Sequence, residues 1–222
     1  SQQMVARFSD FGAELRSGGQ AAWDVKVRAT HYGRGMERKS IQGPSQPTAI
    51  GSRVEYDRGD LIEWFDNRPN GFEHGFTIPN KPFEKGSSEL EVYVDLAGLK
   101  TKSSGAGVQL QTEKGERVMN YDKLVVWDAN GKKLPSSMKA TAQGVSILVA
   151  DVGAVYPITI DPLFTSFEAK LGIGELECGR PGDFLGHSVD ILGNRAVVGA
   201  PGDDSLVGTD AGAAYLFERS GT

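Results

Sequence analysis

The chain has 222 residues, a formal net charge of -5, 29 glycines, 39% hydrophobic residues and 24% charged residues. That length suits one large domain, or one domain with a smaller unit, around a buried core. The acidity leaves no basic stripe for a nucleic-acid backbone, no apolar run approaches the ~20 residues of a membrane span, and the single cysteine, Cys178, excludes an intrachain disulfide and a Cys-type zinc site.

The first residues, Ser1-Gln2-Gln3, carry neither an initiator Met nor an apolar signal segment. The expectation is a processed chain whose secretion signal has been removed. The next segment, Met4 to Leu15, sets Met4, Phe8, Phe11 and Leu15 on one helical face and reads as the one helix candidate. From there the chain reads as β. Val25, Val27 and Ala29 alternate with Lys26 and Arg28, and Leu90, Val92, Val94 and Leu96 alternate with Glu91, Tyr93 and Asp95. Leu124 to Trp127, Val145 to Val149 and Tyr156 to Ile160 continue the theme. A period of two over short segments rich in Val, Ile, Tyr and Phe is the strand signature. Asn70-Gly71 and Asn130-Gly131 predict tight turns, because Asn and Gly tolerate positive φ.

The composition shifts near residue 162, after which ten glycines fall between Gly172 and Gly212. Asp161-Pro162 reads as the boundary, since Pro restricts the residue before it and donates nothing to a ladder. The predicted organisation is all-β: a sandwich-like domain over 1–162 and a smaller β unit over 163–222. In the second unit Ser188 to Leu192, Arg195 to Ala200 and Gly212 to Glu218 read as strands, with Phe164 to Leu171 as a candidate fourth.

Within that unit, Asp183-Phe-Leu-Gly-His-Ser-Val189 leads to Val197-Val-Gly-Ala-Pro201, then Gly202-Asp-Asp204 and Asp210-Ala-Gly-Ala-Ala-Tyr-Leu-Phe217. This order of motifs resembles an FG-GAP repeat, the blade unit of integrin-α-type β-propellers, in its bacterial form. Leu185 stands between the Phe and Gly of the motif, and the loop lacks the Asp-x-Asp-x-Asp-Gly pattern of calcium-binding repeats. Upstream, Glu63-Trp-Phe-Asp-Asn67, Gly71-Phe-Glu-His-Gly-Phe-Thr77 and Tyr156-Pro-Ile-Thr-Ile-Asp-Pro162 resemble a region that precedes FG-GAP repeats in large secreted bacterial proteins. The resemblance implies an extracellular or cell-surface protein. A propeller closes with ~4–8 blades, and the sequence holds one. A lone blade needs neighbours for its faces. Neighbours on other copies of the chain would give rings or filaments; the alternative is a piece of a larger propeller protein that binds a ligand or glycan.

Asp203, Asp204 and Asp210, with Ser205 and Thr209, offer the hard oxygens that calcium takes, or else form a turn in which Asp side chains bond their own backbone. Asp128-Ala-Asn-Gly131 poses the same choice and reads as a hairpin turn. His31, His74 and His187 share no metal-ligand spacing and read as exposed or edge-strand residues. Cys178 lies among acidic neighbours, which disfavours a thiolate. Arg58-Gly-Asp60 is a tripeptide that integrins read, and it also suits a tight turn. Trp64, Phe65, Phe72, Phe76 and Phe83 fit a core better than a sugar platform. Glu63 and Glu73 would be the carboxylates of a hydrolase only if they met. The reading that follows is a non-enzymatic structural or adhesive protein whose partners are other copies of itself or other surface proteins. A secreted hydrolase with an unrecognised carboxylate site is the remaining alternative.

Overall fold

The structure is a computed structural model that describes residues 4–17, 23–41, 45–68, 71–83, 89–166, 182–193, 195–204 and 208–218. Its elements in chain order are β1 (Met4–Ser9), β2 (Gly12–Ser17), β3 (Asp24–Arg34), β4 (Glu37–Ser40), β5 (Thr48–Ile50), β6 (Arg53–Asp57), β7 (Ile62–Arg68), β8 (Gly71–Ile78), β9 (Leu90–Ala97), β10 (Lys100–Ser104), β11 (Gly107–Gln111), β12 (Arg117–Trp127), β13 (Ser136–Ala140), β14 (Gly144–Val149), β15 (Ile158–Ser166), β16 (Ser188–Leu192), β17 (Arg195–Ala200) and β18 (Ala213–Glu218). The all-β expectation is met, and among the described residues there is no helix.

The chain divides into two compact units, Ser1–Phe167 and Glu168–Thr222. In the first, a seven-stranded sheet runs β1-β2-β3-β9-β14-β13, with β4 also paired to β3. An eight-stranded sheet runs β10-β11-β12-β15-β8-β7-β6-β5. Both contribute to one hydrophobic core, with Leu15, Val27, Val92, Val94 and Ile147 from the first sheet and Phe65, Phe76, Met119 and Phe164 from the second. The unit is a β-sandwich, and the period-two apolar positions of each strand supply its inner layers. Burying each such side chain contributes roughly 1.5–3 kcal/mol.

Two expectations are corrected. Met4 to Leu15 is a β-hairpin: β1 and β2 pair antiparallel from Met4↔Ser17 to Ser9↔Gly12. Met4, Ala6 and Phe8 pack against the core beside buried Ala13 and Leu15, so period two prevails over the helical coincidence. Gly12, at φ +150°, sits where an added Cβ would lie 2.5 Å from the Val27 carbonyl oxygen. Asp161-Pro162 does not end a strand. β15 runs through it between β12 and β8, and a register shift in β12 between Asp122 and Val125 lies opposite. That irregularity accommodates a residue with no N–H inside a central strand. Phe164 therefore belongs to the sandwich core and not to a fourth strand of the second unit.

The second unit holds one antiparallel sheet, β16-β17-β18. The predicted strands match it closely: Ser188↔Gly199 to Leu192↔Arg195 pair β16 with β17, and Arg195↔Glu218 to Ala200↔Ala213 pair β17 with β18.

Candidate functional site

The three-stranded sheet exposes apolar side chains on both faces. Its register places Val189, Ile191, Ala196, Val198, Tyr215 and Phe217 on one face and Leu192, Val197 and Leu216 on the other. Ile191 is 66% exposed on the first face and Leu216 is 64% exposed on the second. Only Val198 and Ala200 of these strands are buried. A sheet with one apolar face fits a sandwich, whereas a sheet with two fits a stack in which each blade lies between neighbours.

The loops at one end of this sheet are held by backbone bonds. The Gly186 amide donates to Gly199, Gly202 to Asp183, Asp203 to Ala200 and Gly212 to Asp203. Phe184 and Asp210 take positive φ, at 52° and 51°. With His187, Pro201 and Gly202 they line an open depression of about 500 Å³.

The three candidate calcium ligands lie in these loops but are not brought into one coordination sphere. Asp203 is buried, and its carboxylate accepts the Tyr215 hydroxyl at 2.5 Å. This bond pushes the tyrosine pKa up. Asp204 Oδ1 accepts the Asp210 amide, six residues on, at 3.0 Å. Among the described residues no group of three His, Cys, Asp or Glu side chains is placed to hold a metal ion. Ser205 lies outside the described residues.

In the sandwich the structure gathers residues that the sequence had left apart. Glu63 on β7 and His74 on β8 are fully buried. The Glu63 carboxylate accepts the Ala29 amide of the opposite sheet at 2.9 Å, His74 Nε2 at 3.1 Å, and Arg58 Nε and Nη2 at 3.0 and 2.8 Å. A carboxylate only accepts, so Nε2 carries the imidazole proton, and Tyr121 donates its hydroxyl to Nδ1 at 2.9 Å. Burial opposes ionisation of Glu63. The hydrogen bond from His74, the Arg58 charge and the Ala29 amide outweigh it and hold the carboxyl below its usual range. Burial pushes the Tyr121 hydroxyl well up, so it stays protonated. The cluster balances one cation against one anion and bonds the sheets together at the β3 irregularity near Ala29.

His74 is thus a core residue, not an exposed one. Its signal was its place between Phe72 and Phe76, on the inward parity of β8; Phe65 stacks on it with centroids 4.4 Å apart. His31 is half-buried and stacks on Tyr93 at 4.0 Å, whereas His187 is exposed. Arg58-Gly59-Asp60 is a turn whose ends are occupied. The Arg58 side chain is buried against Glu63, and Asp60 bonds Tyr32 and Lys39. Phe65, Phe72 and Phe76 are core and Phe83 packs against it. Trp64 is buried on the outer face of its sheet, with the Arg53 guanidinium 4.0 Å above its ring. Glu63 points inward and Glu73 belongs to the outer face, so no hydrolytic pair forms from them. Asp128 caps its turn, accepting the amides of Asn130, Lys132 and Val155. Cys178 and Asn70 lie outside the described residues.

A second buried pair, which the sequence reading missed, fixes one rim of the sandwich. Arg34 of β3 forms a two-pronged pair with Asp151, whose carboxylate also accepts the Tyr156 hydroxyl. Its signal is long-range, 117 residues apart in the chain, and no local pattern carries it.

No curated protein and no solved structure matches the chain. Among the described residues no helix is long and apolar enough to cross a membrane. The sheet β16-β17-β18 and its loops fall almost wholly within residues 179–217, which match the family model described as FG-GAP repeat.

Proposed function

We propose that this is a non-enzymatic extracellular protein of structural or adhesive type. It acts through protein–protein contacts, and the three-stranded sheet is its contact surface. The observation that carries the reading is the exposure of apolar side chains on both faces of that sheet. FG-GAP repeats belong to surface and adhesion-type β-propeller proteins, and the match at residues 179–217 supports the same setting here. Another copy of the chain supplies the neighbouring sheet in this reading, and repetition of the contact builds a ring or filament.

The test is the assembly state of the purified chain, by light scattering and negative-stain microscopy. Association is expected, and Val189→Asp with Leu216→Asp is expected to abolish it by placing a charge on each apolar face. A monomer at all concentrations would sink the self-assembly reading. It would favour a ligand- or glycan-binding surface protein instead, a reading supported by the exposed Phe184 ring at the mouth of the loop depression. A chelator arm addresses calcium: the engaged carboxylates of Asp203 and Asp204 are expected to leave assembly unchanged by it.

A further inference from the structure

The end strands of the two sheets of the sandwich are guarded unequally. On one side β10 and β13 end their sheets and are tied together. Ser103 Oγ accepts the Ala140 amide at 3.0 Å, and the Thr101 hydroxyl donates to the Thr141 carbonyl at 2.9 Å. β10 also carries Lys100 and Lys102. Of the other ends, β5 is three residues long, and the branch strand β4 is the exposed run Glu37-Arg-Lys-Ser40. Shortness, lysines and charge are devices that keep a sheet edge from pairing further. β1 has none of them beyond Arg7. It is six residues long, and Met4, Ala6 and Phe8 alternate with Val5, Arg7 and Ser9.

The register fixes which backbone groups of β1 are open. Ser9 and Gly12 pair across a two-residue turn, and the closing pair of such a hairpin exchanges both backbone hydrogen bonds. Bonded pairs alternate along the ladder, so Ser9, Arg7 and Val5 direct their amides and carbonyls to β2. The amides and carbonyls of Phe8, Ala6 and Met4 point the other way, to the end of the sheet. Among the described residues no strand, loop or side chain bonds them there.

The two faces of this edge differ. Met4, Ala6 and Phe8 are half-buried and pack against the core, with the Phe8 ring 5.6 Å from that of Phe65. On the outer face Val5 is 49% exposed and Arg7 is exposed beside it. Arg7 lies opposite Glu14 and Val5 opposite Arg16, while Lys26 and Asp24 follow on β3, opposite Glu14 and Arg16. Arg16 bridges Glu14 at 2.8 Å. Among the described residues no ion pair engages Arg7, and the corner holds more cations than carboxylates.

We propose that β1 is a docking edge for an extended acidic segment of a protein partner, which joins the seven-stranded sheet as an antiparallel strand beside it. The segment's backbone bonds the open amides and carbonyls of Met4, Ala6 and Phe8. Its side chains of the same parity are apolar and extend the half-buried row. An Asp or Glu between them meets Arg7. Charge selects this occupant, because β1 of a second copy would bring another Arg7 and no carboxylate. The contact belongs to the first unit and does not rest on the three-stranded sheet.

The test is a fluorescence-anisotropy titration of the full chain with a labelled, capped Val-Glu-Val-Glu-Val-Glu-Val peptide at low ionic strength, where screening does not mask the Arg7 contact. Saturable binding is expected. N-methylation of the valine amides, which face β1, is expected to weaken it about tenfold or more, whereas N-methylation of the glutamate amides, which face away, leaves it unchanged. Arg7→Glu is expected to weaken binding about fivefold or more, and Lys100→Glu on β10 to leave it unchanged. Ala6→Pro removes an outward N–H and is expected to abolish binding; it is read only where its melting curve shows a folded chain. Arg7→Glu changes an exposed side chain and keeps the test decisive. No saturable binding, equal affinity of the two methylated peptides, or equal loss in Lys100→Glu overturns the proposal. A peptide with lysine in place of glutamate that binds as tightly overturns the acidic occupant. Dimerisation that Ala6→Pro abolishes in the absence of peptide overturns it in favour of a second copy.

Discussion

The sandwich and the three-stranded sheet are built from the same strand chemistry and treat their apolar residues in opposite ways. In β9 the pattern is strict: Leu90, Val92, Val94 and Leu96 are buried, while Glu91, Tyr93 and Asp95 are half-exposed on the other side. A second sheet covers the apolar side, so alternation is all the strand needs. In β16 and β18 the apolar residues fall on both parities, and every residue of β16 is exposed. The first unit closes its own core. The second carries apolar side chains on both faces of its sheet and buries only Val198 and Ala200 of its strand residues. A strand's polarity pattern therefore records how many of its faces are to be covered.

The sharpest way to break this comparison is to attack the polar cluster that the closed sandwich can afford. Glu63→Ala leaves the Arg58 guanidinium and the Ala29 amide buried without their acceptor. A loss of about 3–5 kcal/mol is expected in urea unfolding of the sandwich. A loss below 1 kcal/mol would mean that the cluster is relieved by water and contributes little. Gly75→Ala comes next, because the new Cβ would stand 2.2 Å from the Trp64 ring and must displace it. About 1–3 kcal/mol is expected, with a changed near-ultraviolet dichroism of the tryptophan; an unchanged spectrum would contradict the close packing described.

The pH dependence sharpens the contrast within the sandwich itself. Glu63 and Asp151 are held below their usual range, so the stability they contribute is present above the unfolded carboxylate pKa. It is lost as pH falls through their lower folded values. Asp161 has the opposite sign. Burial first, and then the Glu73 charge, raise its carboxyl to about 6, so it binds a proton more readily folded than unfolded and costs stability as pH rises through that value. Asp161→Asn is expected to stabilise the chain by about 1–2 kcal/mol at pH 7, after discounting for solvent screening, with the gain shrinking toward pH 4. A gain equal at both pH values would refute the raised carboxyl.

The smallest effect on stability belongs to the open sheet. Leu216→Asp removes no buried contact of the isolated chain, so its unfolding free energy is expected to change by no more than about 0.5 kcal/mol. A loss above 2 kcal/mol would show that the face is covered within one chain, and the contrast between the two units would disappear.

Legibility followed the range of each signal. β16 and β17 were bounded to the residue and β9 nearly so, because alternation and flanking Gly are local. Met4 to Leu15 misled because Met4, Phe8, Phe11 and Leu15 also suit a helix, and only pairing with β3 selects the hairpin. His74 misled because its neighbours in sequence are polar and glycine as well as aromatic. Its burial depends on Glu63, Tyr121 and a backbone amide from the other sheet. Pro162 misled because the rule that Pro ends a strand ignores what the partner does, and here β12 shifts its register opposite it.

The sequence by itself determined the all-β class, most strand positions, the FG-GAP motif order and the absence of a disulfide. These rest on residue type and short periodicity, which act within a few residues. The tertiary structure decided which carboxylates meet. Glu63 and Glu73 occupy opposite faces of adjacent strands, whereas Arg34 meets Asp151 and Asp161 faces Asp66 and Glu73. Such meetings depend on strand order and register, and a shift of one residue sends every side chain to the other face.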